Sequence, residues 1–258
     1  MEENVKAEKS WVSKRMLGIM VIVWLLIVLA GVIFHKFLPV TIICSVLSAL
    51  LLFMILYFSY AYYKLSARGG NLQSRVSGLV TDKIDTKSVG RLLDIGCGSG
   101  VLSVELAVKC PGLDIQGIDY WGSMWGYSKE KCERLAETYH VSDRVSFEKA
   151  SASSLPFEDE SFDIVISNMV FHEVADAKDK REVIKEALRV LKKGGQFVFQ
   201  DLFLSKKLYG NSESLVRYIK ETGVEEVSLE KAEKYIPIPF LLNIPMFFGD
   251  TAMLFGKK

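Results

Sequence analysis

Cysteine, histidine and net charge are all scarce in this chain. Its 258 residues hold four cysteines (Cys44, Cys97, Cys110 and Cys132), with no CxxC pair and no Cys/His cluster. That spacing argues against a zinc or other metal site and against a disulfide framework, and it fits a reducing compartment. Histidine occurs three times, at positions 35, 140 and 172. Lysine and arginine number 32 against 31 aspartate and glutamate, leaving a net charge of +1. This balance gives no basic footprint for nucleic acid and no acidic run that would disorder the chain. Internal repeats and low-complexity segments are missing, as is the GKS or GKT ending of a phosphate loop.

What is abundant is apolar: half of the residues, with the excess at one end. Residues 16–34 form a 19-residue run without charge, and after His35 and Lys36 a second uncharged run covers 37–63. At about 1.5 Å per residue the first run spans roughly the 30 Å hydrocarbon core of a bilayer. A secretory signal has a shorter apolar core and no second span behind it. The reading is a cytoplasmic tail (1–15) followed by a transmembrane hairpin (16–63), with helices over about 16–34 and 38–60. Lys6, Lys9, Lys14 and Arg15 precede the first run, and Lys64, Arg68 and Arg75 follow the second. The connecting loop has Lys36 as its one fixed cation, so both termini are expected in the cytoplasm, on the cell membrane. Tyr57, Tyr60, Tyr62 and Tyr63 suit an interfacial aromatic belt.

Residues 64–89 read as a juxtamembrane linker or helix, and 90–258 as the catalytic domain. Short apolar runs at 91–95, 113–118, 145–149, 162–167 and 196–202 alternate with helical patterns at 101–109, 127–139 and 179–191. That alternation predicts an α/β fold with a doubly wound parallel sheet. Beyond it lie a helix near 213–222 and a strand near 251–256. The run 235–248 is apolar but broken by Pro237, Pro239 and Pro245, too interrupted for a third span. Two readings stay open for it: a connection buried against the sheet, or an apolar lip toward the bilayer.

The stretch RLLDIGCGSG (91–100) leaves a strand through three alternate glycines. Glycines let a ligand lie against the main chain and tolerate positive φ. The spacing is GxGxG, not the GxGxxG of dinucleotide folds. Asp94 precedes the turn, and Asp119 closes the next strand in GIDY (117–120), where a carboxylate can accept hydrogen bonds from two ribose hydroxyls. The turn as mere structure, and Asp119 as a turn-former, are the plainer alternatives.

With these elements, the run ASASSLPFEDESFDIVISNMVFHEV (150–174) and EALRVLKKGGQFVF (186–199), the sequence resembles the class I S-adenosylmethionine-dependent methyltransferases. The resemblance covers 91–202 and implies a Rossmann-like fold with S-adenosylmethionine as cofactor. It places the methionine part over Asp94, Gly96, Gly98 and Gly100, the ribose at Asp119, and Tyr120 beside the adenine. Where members of the family commonly carry an acid after the third strand, this chain has Ala150-Ser151-Ala152, so Ser151 and Ala152 take that place. Trp121 and Trp125 either line the pocket or pack helices.

The loop after the fourth strand, SNMVFHE (167–173), faces the transferred methyl in the family. It supplies Asn168 as a cofactor contact, His172 as general base and Glu173 as a group to orient it. The alternatives are a helix-capping His172 and a first-turn acid at Glu173. Cys97 has no basic neighbour in sequence and reads as a small residue filling the turn. The hairpin points to a small, lipophilic or membrane-associated acceptor. Two other classes stay open: a membrane-tethered cofactor-binding module without catalysis, and a nicotinamide-dependent oxidoreductase.

Overall fold

In the computed structural model, which describes residues 11–85, 87–122, 127–245 and 247–258, the two apolar runs are helices. Lys6 and Lys9, expected to flank the first span, and Trp125, expected at the pocket or between helices, lie outside those residues. Helix α1 (Lys14–Ile33) is capped by Ser13, whose hydroxyl accepts from the Met16 N–H. Helix α2 (Leu38–Leu65) starts with proline in its first turn, where the missing N–H costs nothing. Both are long and apolar enough to cross a membrane. The Trp24 indole donates to the Ser48 carbonyl at 3.2 Å, tying one helix to the other.

The chain divides at residue 75 into two units, and the helix α3 (Leu72–Thr81) runs through the division. The second unit is built on strands β1 (Gly90–Ile95), β2 (Leu113–Asp119), β3 (Val145–Lys149), β4 (Phe162–Asn168), β5 (Leu191–Asp201), β6 (Glu226–Lys231) and β7 (Ala252–Lys257). Helices α4 (Val101–Lys109), α5 (Lys129–Thr138), α6 (Lys180–Arg189), α7 (Lys206–Tyr209) and α8 (Ser212–Glu221) connect them. The sheet order is β3-β2-β1-β4-β5-β7-β6. β7 runs antiparallel to both of its neighbours, so the expected parallel sheet carries one reversed strand near its edge. Strand order reverses between β1 and β4, where an open α/β sheet forms its ligand crevice.

Alternation along the strands supplies two apolar faces. Leu93, Ile95, Val165, Phe197 and Phe199 pack on one side with Val183, Ile184, Ala187 and Leu188 of α6. Leu92, Ile115, Ile164, Ile166 and Val198 pack on the other with Leu102 and Leu106 of α4 and with Val80 and Ile84. The unit's core therefore reaches upstream of residue 90. β5 also begins earlier than the apolar pattern suggests, because Lys192 to Gly195 still follow the sheet through Gly194 at φ 74°. The proline-broken segment forms short 3-10 turns. It buries Ile236, Leu242 and Phe248 and exposes Phe240, Leu241 and Ile244.

Candidate active site

After β1 the chain turns through Gly96, Gly98 and Gly100, all at positive φ. The N–H groups of Gly96 and Cys97 both donate to the Ile118 carbonyl of β2, at 2.8 and 2.9 Å, which pins the turn to the sheet. A Cβ on Gly96 would stand 2.2 Å from Val170, so the turn lies directly on the loop that leaves β4. Among the described residues, an added Cβ at Gly98 would meet the Tyr127 ring alone, at 3.5 Å. Gly96 is thus demanded by packing, whereas at Gly98 a Cβ would fit in ordinary contact with the Tyr127 ring. Cys97 is buried in this turn and burial pushes its thiol up, as expected of an unreactive filler.

Asp94 is buried and accepts a 2.6 Å hydrogen bond from Ser103 of α4. Burial raises its carboxyl, the Ser103 bond offsets part of this and the Asp119 charge adds to it, leaving it at about 7. Asp119 at the end of β2 accepts from the Gly98 N–H at 2.9 Å and from the Trp121 N–H at 2.7 Å. The Trp121 indole donates to the Gly98 carbonyl at 2.9 Å. Asp119 therefore fastens the glycine turn, and each of its oxygens keeps a lone pair for a hydroxyl. Tyr120 is exposed, with Lys149 Nζ 5.0 Å from its ring centre.

After β3, Ser151 Oγ lies 2.8 Å from Ser153 Oγ, and both reach Oδ2 of Asp176, at 3.2 and 2.5 Å. The acid missing from the 150–152 triplet is thus brought from 25 residues downstream. The Ser153 hydrogen bond is the main cause holding the Asp176 carboxyl below its usual range. Ala152 is half-buried against the core.

At the end of β4, Asn168 Nδ2 donates to Ser77 Oγ at 2.9 Å, and Met169 turns the chain at φ 59°. The 3-10 turn Phe171–Glu173 follows, held by Phe171 packed edge-on to Phe199 at 5.1 Å. Its His172 places Nδ1 2.9 Å from Oδ1 of Asp201, the last residue of β5. The carboxylate on the ring is Asp201; Glu173 Oε1 stands 3.8 Å from Nε2 and its side chain is nearly half exposed. Burial pulls the His172 pKa down, but the hydrogen bond and charge of Asp201 outweigh it, so the net shift is upward. Beneath Asp201, Tyr209 is buried, and burial together with the Asp201 charge pushes its hydroxyl well up.

The structure therefore brings Asp94, the three glycines and Asp119 together, with the His172 loop laid on the glycine turn. Asp201 and Asp176 are the site groups that sequence reasoning missed. The signal for Asp201 is the polar pair Gln200-Asp201 inside the apolar run FVFQDLF. For Asp176 no local signal exists, because a loop carries it.

A family model described as a methyltransferase domain matches residues 93–199. The 27-O-demethylrifamycin SV methyltransferase of Amycolatopsis mediterranei is 30% identical over 162 residues, 63% of this chain and 56% of that protein. The ubiquinone/menaquinone biosynthesis C-methyltransferase UbiE of Geotalea daltonii is 33% identical over 117 residues, 45% of this chain and 47% of that protein. The chloroplastic tocopherol O-methyltransferase of Arabidopsis thaliana is 30% identical over 123 residues, 46% and 32% of the two chains. The chain spans about half the length, or less, of the curated relatives it matches. Among solved structures, the [4+2]-cyclase SpnF aligns with a TM-score of 0.53 at 21% identity, covering 71% of this chain and 80% of that one. At that identity the likeness is one of fold.

Proposed function

We propose, from the premise that the chain belongs through its methyltransferase domain to the class I S-adenosylmethionine-dependent methyltransferases, that it methylates a small lipophilic acceptor at a membrane surface. The observation that carries the catalytic part is the contact of Gly96 with Val170. It lays the loop ending in His172 on the turn where the family holds its cofactor.

The residues present fit that cofactor. Gly98 leaves the room of a missing side chain beside the Tyr127 ring, Asp119 has lone pairs for both ribose hydroxyls, and Ser151 with Ala152 and Asp176 suits the adenine edge. Asp94 and the turn from Gly96 to Gly100 would hold the methionine part, and Tyr120 would flank the base. Bound there, S-adenosylmethionine supplies an activated methyl on a sulfonium. The chain's own part is alignment and proton removal. With Asp201 accepting from Nδ1–H, the neutral His172 ring presents Nε2 as the atom that takes the acceptor's proton.

The membrane part rests on α1 and α2 and on the cations flanking them, Lys14, Arg15, Lys64, Arg68 and Arg75, which favour both ends in the cytoplasm. The lipophilic acceptor is supported by that hairpin and by relatives named for quinone biosynthesis and for tocopherol. The test is methyl-labelled S-adenosylmethionine added to membranes containing the full chain, with extraction of labelled products. Label confined to S-adenosylmethionine, with no labelled product in the lipid extract or the aqueous phase, would refute the activity.

A further inference from the structure

Gln200 sits near the end of β5 with none of its surface exposed, and neither its Nε2 nor its Oε1 has a hydrogen-bond partner among the described residues. Oδ1 of Asn168 is buried and unpartnered in the same way, while its Nδ2 is engaged by Ser77. These are not scattered defects. Asn168 and Gln200 are register partners on adjoining parallel strands, so their side chains leave the same face of the sheet. Both lie at the carboxyl ends of strands beside the order reversal, where open α/β sheets bind ligands. Buried carboxamides without partners destabilise a fold, and native proteins seldom keep them without a use.

On the reading that this domain is a methyltransferase, we propose that Gln200, with Oδ1 of Asn168, recognises a polar group of the acceptor and selects a neutral hydrogen-bonding group over an anion. Together the two amides present one donor nitrogen and two acceptor oxygens. A hydroxyl or an amide, which both gives and takes hydrogen bonds, satisfies that set; a carboxylate or phosphate only takes. The surroundings point the same way. Ile166 and Val198 flank the pair on this face, and Met253 is the register partner of Gln200 on β7. Two carboxyls share that face: Glu230, in register with Gln200 across Met253, and Asp94, on the strand beside Ile166. The cations on that face lie toward the other end of the strands, where Lys257 is the register partner of Gln196 and Lys83 Nζ stands over the Phe255 ring, so an anion beside Gln200 gains no direct partner for its lost hydration. Asp201 follows Gln200 and projects to the opposite face, so the His172 pair and the carboxamides bracket one edge of the sheet.

The experiment uses the full chain in detergent micelles saturated with S-adenosylhomocysteine, and two probes of similar size, hydroquinone and benzoate. Calorimetry is expected to show hydroquinone binding at least ten-fold more tightly than the benzoate anion. In Gln200→Leu, and in the unbranched Gln200→Met, hydroquinone affinity should fall at least ten-fold and S-adenosylhomocysteine affinity should stay within two-fold. The melting temperature of both variants should rise by several degrees, because an unpaired amide has been removed. Unchanged hydroquinone affinity in both variants overturns the proposal, and so does a benzoate that binds equally well. A fall in melting temperature in both variants also overturns it, since the amide is then a paired structural group. If the unaltered chain fails to bind S-adenosylhomocysteine, the methyltransferase reading fails first and this proposal with it.

Discussion

His172 and Asp201 stand 2.9 Å apart, the carboxylate 1% exposed and the imidazole 19%. Asp201 also accepts from the backbone N–H of Leu202 at 2.6 Å, so it is fixed before the ring meets it. A fixed carboxylate on Nδ1 sets both the tautomer and the direction of Nε2. The ring lies just after Val170, the residue of this loop that packs on the glycine turn.

If His172 is the base, the reactive form is neutral, and transfer should slow as pH falls through its pKa. Burial lowers that pKa, but Asp201 raises it further, so the acid limb should lie above 6.5. Asp201→Asn removes the charge and should move the limb to lower pH while lowering the plateau rate. His172→Ala should abolish the limb and slow transfer by roughly 10²–10⁴-fold, leaving cofactor affinity unchanged. A full rate in His172→Ala across pH 6 to 8 would show that no base acts there.

Asp94 predicts a pH-dependence of stability with the opposite origin. Its folded pKa, about 7, lies above the usual carboxylate value, so the folded protein keeps a proton that the unfolded chain releases. Stability from this group is full below the unfolded pKa and is lost as pH rises toward and through 7. The difference is on the order of 4 kcal/mol at most. Without cofactor, Asp94→Asn should therefore match the parent at low pH and exceed it at pH 8 in urea midpoints. Parallel curves for the two proteins would show that Asp94 is ionised in the fold.

Much of the sheet was legible because buried strands leave short apolar runs, and the glycine turn because its spacing is local. β6 was not, since Val227 and Leu229 alternate with Glu226, Ser228 and Glu230 on an outer strand whose burial is partial. The reversed β7 cannot be told from a parallel strand by periodicity. At the site, Asp119 was legible at the end of a strand after a glycine turn. Asp201 and Asp176 were not, because each acquires its partner across 29 and 25 residues of intervening chain. The carboxamide of Gln200 looks ordinary in sequence and becomes informative only when its partners are counted in space.

The glycines should separate by mechanism. Gly96→Ala combines left-handed strain of roughly 1–2 kcal/mol with a collision against Val170, so melting temperature should drop steeply. Gly98→Ala has the strain without the collision and should cost less in melting temperature. Its added methyl takes the space between the turn and the Tyr127 ring, so cofactor affinity should fall more than stability does. Equal losses of stability in the two variants would contradict the assignment.

Asp119→Ala should remove most S-adenosylmethionine binding while the domain stays folded. Two charge-assisted hydrogen bonds to the ribose contribute roughly 1.5–3 kcal/mol each at most. The same substitution releases the N–H groups of Gly98 and Trp121, so Asp119→Asn is the cleaner comparison. The amide can keep one acceptor oxygen on the turn but has lost the charge. Calorimetry should place Asp119→Asn between the parent and Asp119→Ala. Affinity equal to the parent in both variants would remove Asp119 from the site.

Reporter fusions at residue 2 and residue 258 should both read cytoplasmic, with the loop at His35 and Lys36 on the far side; a C-terminus outside would sink the topology. Removing residues 1–63 should leave cofactor affinity intact, because the glycine turn and Asp119 belong to the unit that begins at Arg75. Transfer to an acceptor embedded in vesicles should fall steeply, because a membrane anchor confines enzyme and acceptor to one thin layer and raises their effective concentration. A foreign two-span hairpin of similar length should restore much of the rate, since confinement to the membrane is all that is needed. The control is a short-chain, water-soluble acceptor of the same head group, for which anchoring offers no gain. Truncated and full-length proteins should methylate it at comparable rates. If the truncated protein is equally fast on the embedded acceptor too, the hairpin has no part in substrate capture and the lipophilic acceptor loses its main support.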